Sequence, residues 1–177
     1  MAYDILTRRL TLRPWRESEV ERYCEIYQDE RVWKWLGANP TRLADATAAR
    51  ARIAAWQARR TEVFGVWAIE AVDRPLPLGT ALLLPMPDGA GKPTHDVEIG
   101  WHLAPDAWGH GYATEAAEAL LDLAWQFAIS RVHAVIYPGN DASVAVAVRL
   151  GMRDEGLTDA WYGTELRHFS IDMPSGY

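Results

Sequence analysis

The chain is 177 residues long, which suits one domain with a sizeable buried core. Hydrophobic residues make up 49% and charged residues 24%, a globular balance that argues against disorder. Lys and Arg total 18 against 24 Asp and Glu, so the formal charge of −6 lacks the basic footprint of a nucleic-acid binder.

The N-terminus, Met1 to Asp4, leads straight into a charged, strand-like segment with no signal peptide. Leu6 to Pro14 alternates, with Leu10 and Leu12 on one face and Arg9, Thr11 and Arg13 on the other, and reads as a single strand. From Ser18, a candidate N-cap, to about Gln28, Val20, Tyr23, Cys24 and Tyr27 recur at helical spacing. Cys24 is the sole cysteine. That excludes an internal disulfide and a thiolate metal cluster, and it fits a reducing cytoplasm. Its place on the apolar helix face reads as core. After Asn39-Pro40-Thr41, an Ala/Arg-rich segment to about Arg60 predicts a second helix, burying Ala49, Ile53 and Trp56.

Three strands are predicted next, Val63 to Val72, Leu76 to Leu84 with Gly79 inside it, and His95 to Leu103. Pro85 to Thr94, with three prolines and two glycines, reads as a surface loop. Gly111 to about Ala128 is an amphipathic helix with small residues first. Val132 to Tyr137 is a short strand and Pro138-Gly139-Asn140 a turn. Ala142 to Leu150 is a helix stopped by Gly151, and Thr164 to Met173 alternates as a terminal strand. No apolar run approaches the ~18 residues that a membrane span needs. The order predicts an α/β domain with one mixed sheet.

The informative stretch is Glu98 to Ala116, in which a strand enters a turn with two glycines and then a helix. Glycines let the backbone turn sharply and bring its N–H groups close to a ligand. With the first turn of the following helix they form an anion site suited to phosphate or pyrophosphate. Ala113 allows close approach there. A tight structural turn explains the glycines equally well. Asn140-Asp141-Ala142-Ser143 tips the balance, because it also follows a strand and opens a helix.

Glu98 to Ala116, with Asn140 to Met152, resembles the GNAT superfamily of acyl-CoA N-acyltransferases, closest to its RimJ/RimL-type branch. That family's phosphate loop, Arg/Gln-x-x-Gly-x-Gly/Ala, is matched by Trp108-Gly109-His110-Gly111-Tyr112-Ala113. Its Asn-x-x-Ser motif, followed by a helix ending in Leu-Gly-Phe, is matched by Asn140, Ser143 and Leu150-Gly151-Met152. Leu6 to Pro14 resembles the family's first strand. The resemblance implies one N-acetyltransferase domain over residues 1–177, with a mostly antiparallel sheet flanked by helices. It also implies acetyl-CoA as co-substrate, no metal, and an amine acceptor that is a small molecule or a protein N-terminus. Trp108, Gly109, His110, Gly111, Tyr112, Ala113 and Thr114 would cradle the CoA pyrophosphate. Pantetheine would lie near His102 and Leu103, with Asn140 and Ser143 near the thioester. The acceptor mouth would fall near Trp33 and Trp35, which alternate so that both could face one way, although an aromatic pair also suits a core. Trp161 and Tyr162 carry the same ambiguity. Dimerisation rests on the analogy alone.

Two positions depart from the family. Trp108 replaces the usual Arg or Gln, which removes one cation or amide. Ala147 stands where many members carry a tyrosine that reprotonates the thiolate, leaving Ser143, or a water it holds, as the substitute acid. Amide formation needs a neutral amine, whereas a lysine-like amine has a pKa of ~10.4 and an α-amine ~7.7–8. Glu98 is the first candidate base; its plainer reading is a solvated or cross-strand-paired glutamate. A strand N–H near His102 or Leu103 could meet the developing oxyanion. His102 is an alternative base, although a lone histidine beside a glycine turn reads more readily as structural or exposed, and His110 reads as a loop residue near phosphate rather than a catalyst.

Gly109-x-Gly111 could also open a dinucleotide fingerprint, but Thr114 occupies the third glycine position and no acidic ribose reader follows. A P-loop is excluded because Gly-Lys-Ser/Thr is absent. The remaining alternative is a non-catalytic acyl-CoA sensor or assembly module on the same scaffold.

Overall fold

The computed structural model describes residues 4–177; Met1, Ala2 and Tyr3, on which the signal-peptide expectation falls, lie outside the described residues. The eight described strands are β1 (Ile5–Leu6), β2 (Leu10–Arg13), β3 (Gly65–Ala71), β4 (Gly79–Pro87), β5 (Pro93–Leu103), β6 (Arg131–Ile136), β7 (Arg153–Thr158) and β8 (Leu166–Asp172). They form one sheet in the order β1-β2-β3-β4-β5-β6-β8-β7. Every neighbouring pair is antiparallel except β5 and β6, which run parallel and meet only at Glu98↔His133. Beyond that pair the two strands part, and the sheet opens between them.

Alternation along β5 decides what faces what. Val97, Ile99, Trp101 and Leu103 enter the larger core, beneath α4 (Tyr112–Gln126) and α5 (Asp141–Arg149). Asp96, Glu98 and His102 therefore project from the opposite face. That face carries the second core, built from α1 (Val20–Gln28), α2 (Glu30–Trp33) and α3 (Ala46–Ala58).

The structure corrects several sequence expectations. Leu6 to Pro14 is a hairpin, because the Thr7 hydroxyl accepts the amide of Leu10 at 2.8 Å and turns the chain between β1 and β2. Arg13 is buried between Glu19 and Glu70. Ser18 lies inside a 3-10 turn, Glu17–Glu19, and does not cap α1. Cys24 and Trp56 are only half-buried against the second core. The supposed loop from Pro85 to Thr94 is mostly strand. β4 continues through a bulge to Pro87, which faces Pro93 of β5, and only residues 88–92 turn. α2 and β7 carry too few periodic apolar residues to be read, β7 being an exposed, largely polar edge strand. Among the described residues no helix is long and apolar enough to cross a membrane.

Candidate active site

The chain leaves β5 through a 3-10 turn, Pro105–Ala107, and reaches α4 across Trp108 to Gly111. Gly109 and Gly111 both sit at φ +78°, the left-handed region that glycine enters without penalty. Gly111 is the N-cap of α4 and offers no capping side chain. Among the described residues, none of the backbone N–H groups from Gly109 to Thr114 has a hydrogen-bond partner, and the Thr114 hydroxyl is buried without one. Six amides and a hydroxyl are thus concentrated at the positive end of a 15-residue helix. Donors grouped in this way at a helix N-terminus can take an anion.

Trp108 takes no part as a donor in that group. Its indole N–H turns back onto the Leu103 carbonyl at 2.8 Å, pinning the loop to the end of β5. The Leu103 side chain lies in the larger core. His110 directs Nδ1 at the Trp108 carbonyl, 2.7 Å away, and stacks on Tyr112 with ring centroids 5.4 Å apart. His102 points to the other face, edge-on to Tyr27. Burial, helped by the positive charge of Arg52, pushes its pKa down to about 4, so the ring is neutral at pH 7, and its Nδ1 has no partner among the described residues.

Across the opening, Asn140 caps α5 by accepting the Ser143 amide at 3.3 Å, leaving the Ser143 hydroxyl on the first turn. Ala147 is fully buried. Just before the cap, the Tyr137 hydroxyl donates to the Gly37 and Ala38 carbonyls at 2.8 and 3.0 Å. This tie brings the segment after α2 to the same end of the sheet. Trp33 closes α2 and Trp35 follows in a turn, both half-buried. Because the backbone there is helical, residues two apart diverge, and the expected alternation does not apply.

Glu98 occupies the register pair where β5 and β6 part. The Tyr162 hydroxyl donates to its carboxylate in a short hydrogen bond. Burial raises the Glu98 pKa to about 7, and the Tyr162 bond only partly offsets it. Two residues along, Asp96 accepts the Trp161 indole N–H at 2.9 Å. Adjacent carboxylates of β5 therefore hold the loop between β7 and β8 over this face. The Trp161 ring also packs against His133 and His168, whose ring nitrogens lie 2.9 Å apart.

The family model for the acetyltransferase (GNAT) domain matches residues 9–153. The chain belongs to the GNAT acetyltransferase family. As a GNAT enzyme it transfers an acetyl group from acetyl-CoA to an amine. It is 27% identical over 161 residues to the N-acetyltransferase p20 of Bacillus licheniformis, covering 86% of this chain and 84% of that one. A GNAT-family acetyltransferase structure from Bacillus anthracis superposes with a TM-score of 0.78 at 22% identity, covering 96% and 98% of the two chains. The Mycobacterium smegmatis RimJ structure, in complex with CoA-disulfide, gives 0.73 at 22% identity over 92% and 81%.

Sequence reasoning named Trp161 and Tyr162 only as residues suited equally to the acceptor mouth or to a core, and did not reach their pairing with Asp96 and Glu98. Both pairs depend on chain segments that meet only in the fold. The one available signal was Tyr162 preceding Gly163 in a turn, which marks a loop but not its target.

Proposed function

We propose that the loop from Trp108 to Thr114 holds the CoA diphosphate and that the amine acceptor enters on the face bearing Glu98 and Tyr162. The observation that carries this reading is the set of unpartnered amides from Gly109 to Thr114, with the orphaned Thr114 hydroxyl beside them. Donors left bare at the mouth of a helix favour a doubly charged diphosphate over water. Acetyl-CoA supplies a thioester whose carbonyl carbon the amine attacks.

The chain's own residues then handle protons. Glu98, with its pKa raised to about 7, is ionised in a useful fraction of molecules at neutral pH and basic enough to take a proton from an ammonium, directly or through water. Backbone N–H groups of β5 beyond Glu98, on the side where β6 has departed, are available to an oxyanion. Ser143, on the first turn of α5 across the opening, is the proton donor to the departing thiolate in place of the family's tyrosine. The acceptor is a protein N-terminus or a small-molecule amine, in keeping with the acidic charge balance. The single thiol of Cys24 suits a cytoplasmic enzyme whose one domain spans the chain.

Calorimetric titration with CoA, followed by thiol release from acetyl-CoA across an amine panel, tests the reading. Saturable CoA binding and amine-dependent release are expected. Absence of both, in folded protein, overturns it.

A further inference from the structure

Trp108 leaves the proposed diphosphate loop without the cation or amide that its position carries in the family pattern, in a protein whose formal charge is −6. An acidic protein that binds a polyanion needs a local positive charge to offset the repulsion of its overall field. The fold brings one from the opposite end of the chain.

Glu115, on the first turn of α4, organises the arrangement. Its Oε1 accepts the Thr7 hydroxyl at 2.7 Å and the Arg9 amide at 2.9 Å. Its Oε2 accepts Arg9 Nε at 2.6 Å. Burial works against the Glu115 charge, but the Thr7 and Arg9 hydrogen bonds outweigh it and hold the carboxyl below the usual carboxylate range. The guanidinium is fixed from two further sides. Nη1 donates to the His110 carbonyl at 3.0 Å, and Cζ lies 4.9 Å above the Tyr112 ring centre. Nη2 is the remaining corner. It donates to nothing among the described residues and stands 3.5 Å from where a side chain at Gly111 would begin. The Arg9 side chain is 38% exposed, so this corner is open to a ligand. Arg9 and Gly111 line one cleft of about 580 Å³, whose walls carry Arg8 and Arg149 together with the carboxylates of Glu118 and Asp122 further along α4.

We propose that Arg9 is the cationic member of the diphosphate site. Glu115 and the His110 carbonyl orient it, and Nη2 donates to a phosphate oxygen above Gly111. The inference rests on the proposed placement of the diphosphate at residues 108–114. Arg9 does double service, because the hydrogen bond to the His110 carbonyl also fixes the peptide that precedes Gly111. Lysine cannot reproduce this, since one ammonium cannot hold Glu115, the carbonyl and a phosphate in a planar fork.

The test compares two acetyl donors that share the thioester, acetyl-CoA and S-acetyl-pantetheine, the second lacking the diphosphate together with the 3′-phosphoadenosine it carries. The readout is the ratio of their kcat/KM values in wild type, Arg9→Gln and Arg9→Lys. Wild type is expected to prefer acetyl-CoA strongly. Arg9→Gln is expected to lower that ratio about tenfold, the value of one charge-assisted hydrogen bond, and Arg9→Lys to lower it less. A merely structural arginine would depress both donors together and leave the ratio at its wild-type value, which overturns the proposal. If Arg9→Gln does not fold, Arg9→Lys with an unchanged ratio overturns it equally. A wild type without preference for acetyl-CoA removes the diphosphate site itself, and the inference with it.

Discussion

The Tyr162 hydroxyl reaches 64 residues back along the chain to the carboxylate of Glu98, and it does so from a backbone angle, φ +61°, that side-chain-bearing residues rarely adopt. Such a conformation costs roughly 1–3 kcal/mol and persists where surrounding contacts enforce it. Here the contacts are two carboxylates of one strand, Asp96 on Trp161 and Glu98 on Tyr162. If Glu98 is the base, kcat/KM should rise with pH along a limb centred near 7, the value to which burial lifts this group. Glu98→Gln should remove the limb and lower the rate at neutral pH by about 10²–10⁴-fold. CoA affinity, measured by titration, should be unchanged. A wild-type profile in this variant clears Glu98 of the role.

Tyr162 makes a second, directional prediction. Its hydrogen bond favours the ionised carboxylate, opposing the larger effect of burial. Tyr162→Phe removes the donor and keeps the ring, so the Glu98 pKa should climb further and the limb should move to higher pH. Activity near pH 7 should fall while activity well above the limb recovers. A limb moving to lower pH would mean that Tyr162 raises the proton affinity of Glu98, through the burial it imposes, by more than its hydrogen bond lowers it.

The same shift has a consequence for stability. A carboxyl whose pKa is raised from its ordinary value of 4.5 to about 7 binds its proton more tightly in the folded state. Its contribution is fully present below the unfolded pKa and is lost as pH rises through 7. Above pH 7 the wild type therefore keeps a poorly solvated charge that Glu98→Gln lacks. Discounted because Glu98 is only half-buried, the gain should be about 1 kcal/mol, or ~2–4 °C in Tm, at pH 8. At pH 4 the two proteins should melt together. A variant less stable than wild type at pH 8 contradicts the desolvation account.

Asn140 and Ser143 separate cleanly, because only one of their side chains holds the helix. Asn140→Ala removes the oxygen that accepts the Ser143 amide and should cost about 1 kcal/mol in thermal unfolding. Ser143→Ala leaves that amide in place, so Tm should hold. If the hydroxyl protonates the leaving thiolate, kcat should fall by about tenfold or more with the KM for acetyl-CoA unchanged. An unaltered kcat assigns the proton to another donor.

Local pattern made the centre of the molecule legible. Apolar alternation at Val97, Ile99, Trp101 and Leu103 marks β5, and the two glycines before an Ala-rich run mark the turn into α4. The resemblance to GNAT enzymes followed from those same residues. Thr7 defeated the reading of the first strand, since a hydroxyl that bonds its own backbone competes with the ladder and shows no periodicity. β7 escaped because an exposed edge strand has no apolar face to reveal. The pairs Arg9–Glu115 and Tyr162–Glu98 join positions separated by 106 and 64 residues. No window of sequence contains either pair, and both partners look like ordinary surface residues until the sheet brings them together.

Gly111 tests the diphosphate site most directly, because two separate costs can be read apart. At φ +78° any L-residue pays ~1–2 kcal/mol in backbone strain, and a β-branched one is the least tolerated. The space itself is open. A Cβ at this position would meet only Arg9 Nη2, at 3.5 Å, an ordinary contact. Strain should therefore appear in the melting of both Gly111→Ala and Gly111→Val, without collapse of the fold. The larger side chain would stand beneath Arg9 where an anion is expected to bridge Nη2 and the amides of α4. Gly111→Val should lose at least about tenfold in CoA affinity beyond the loss in Gly111→Ala, an effect of at least about 1.4 kcal/mol. Calorimetry on the two folded variants reads the difference. Equal affinity in wild type and Gly111→Val would place the diphosphate somewhere other than above this residue.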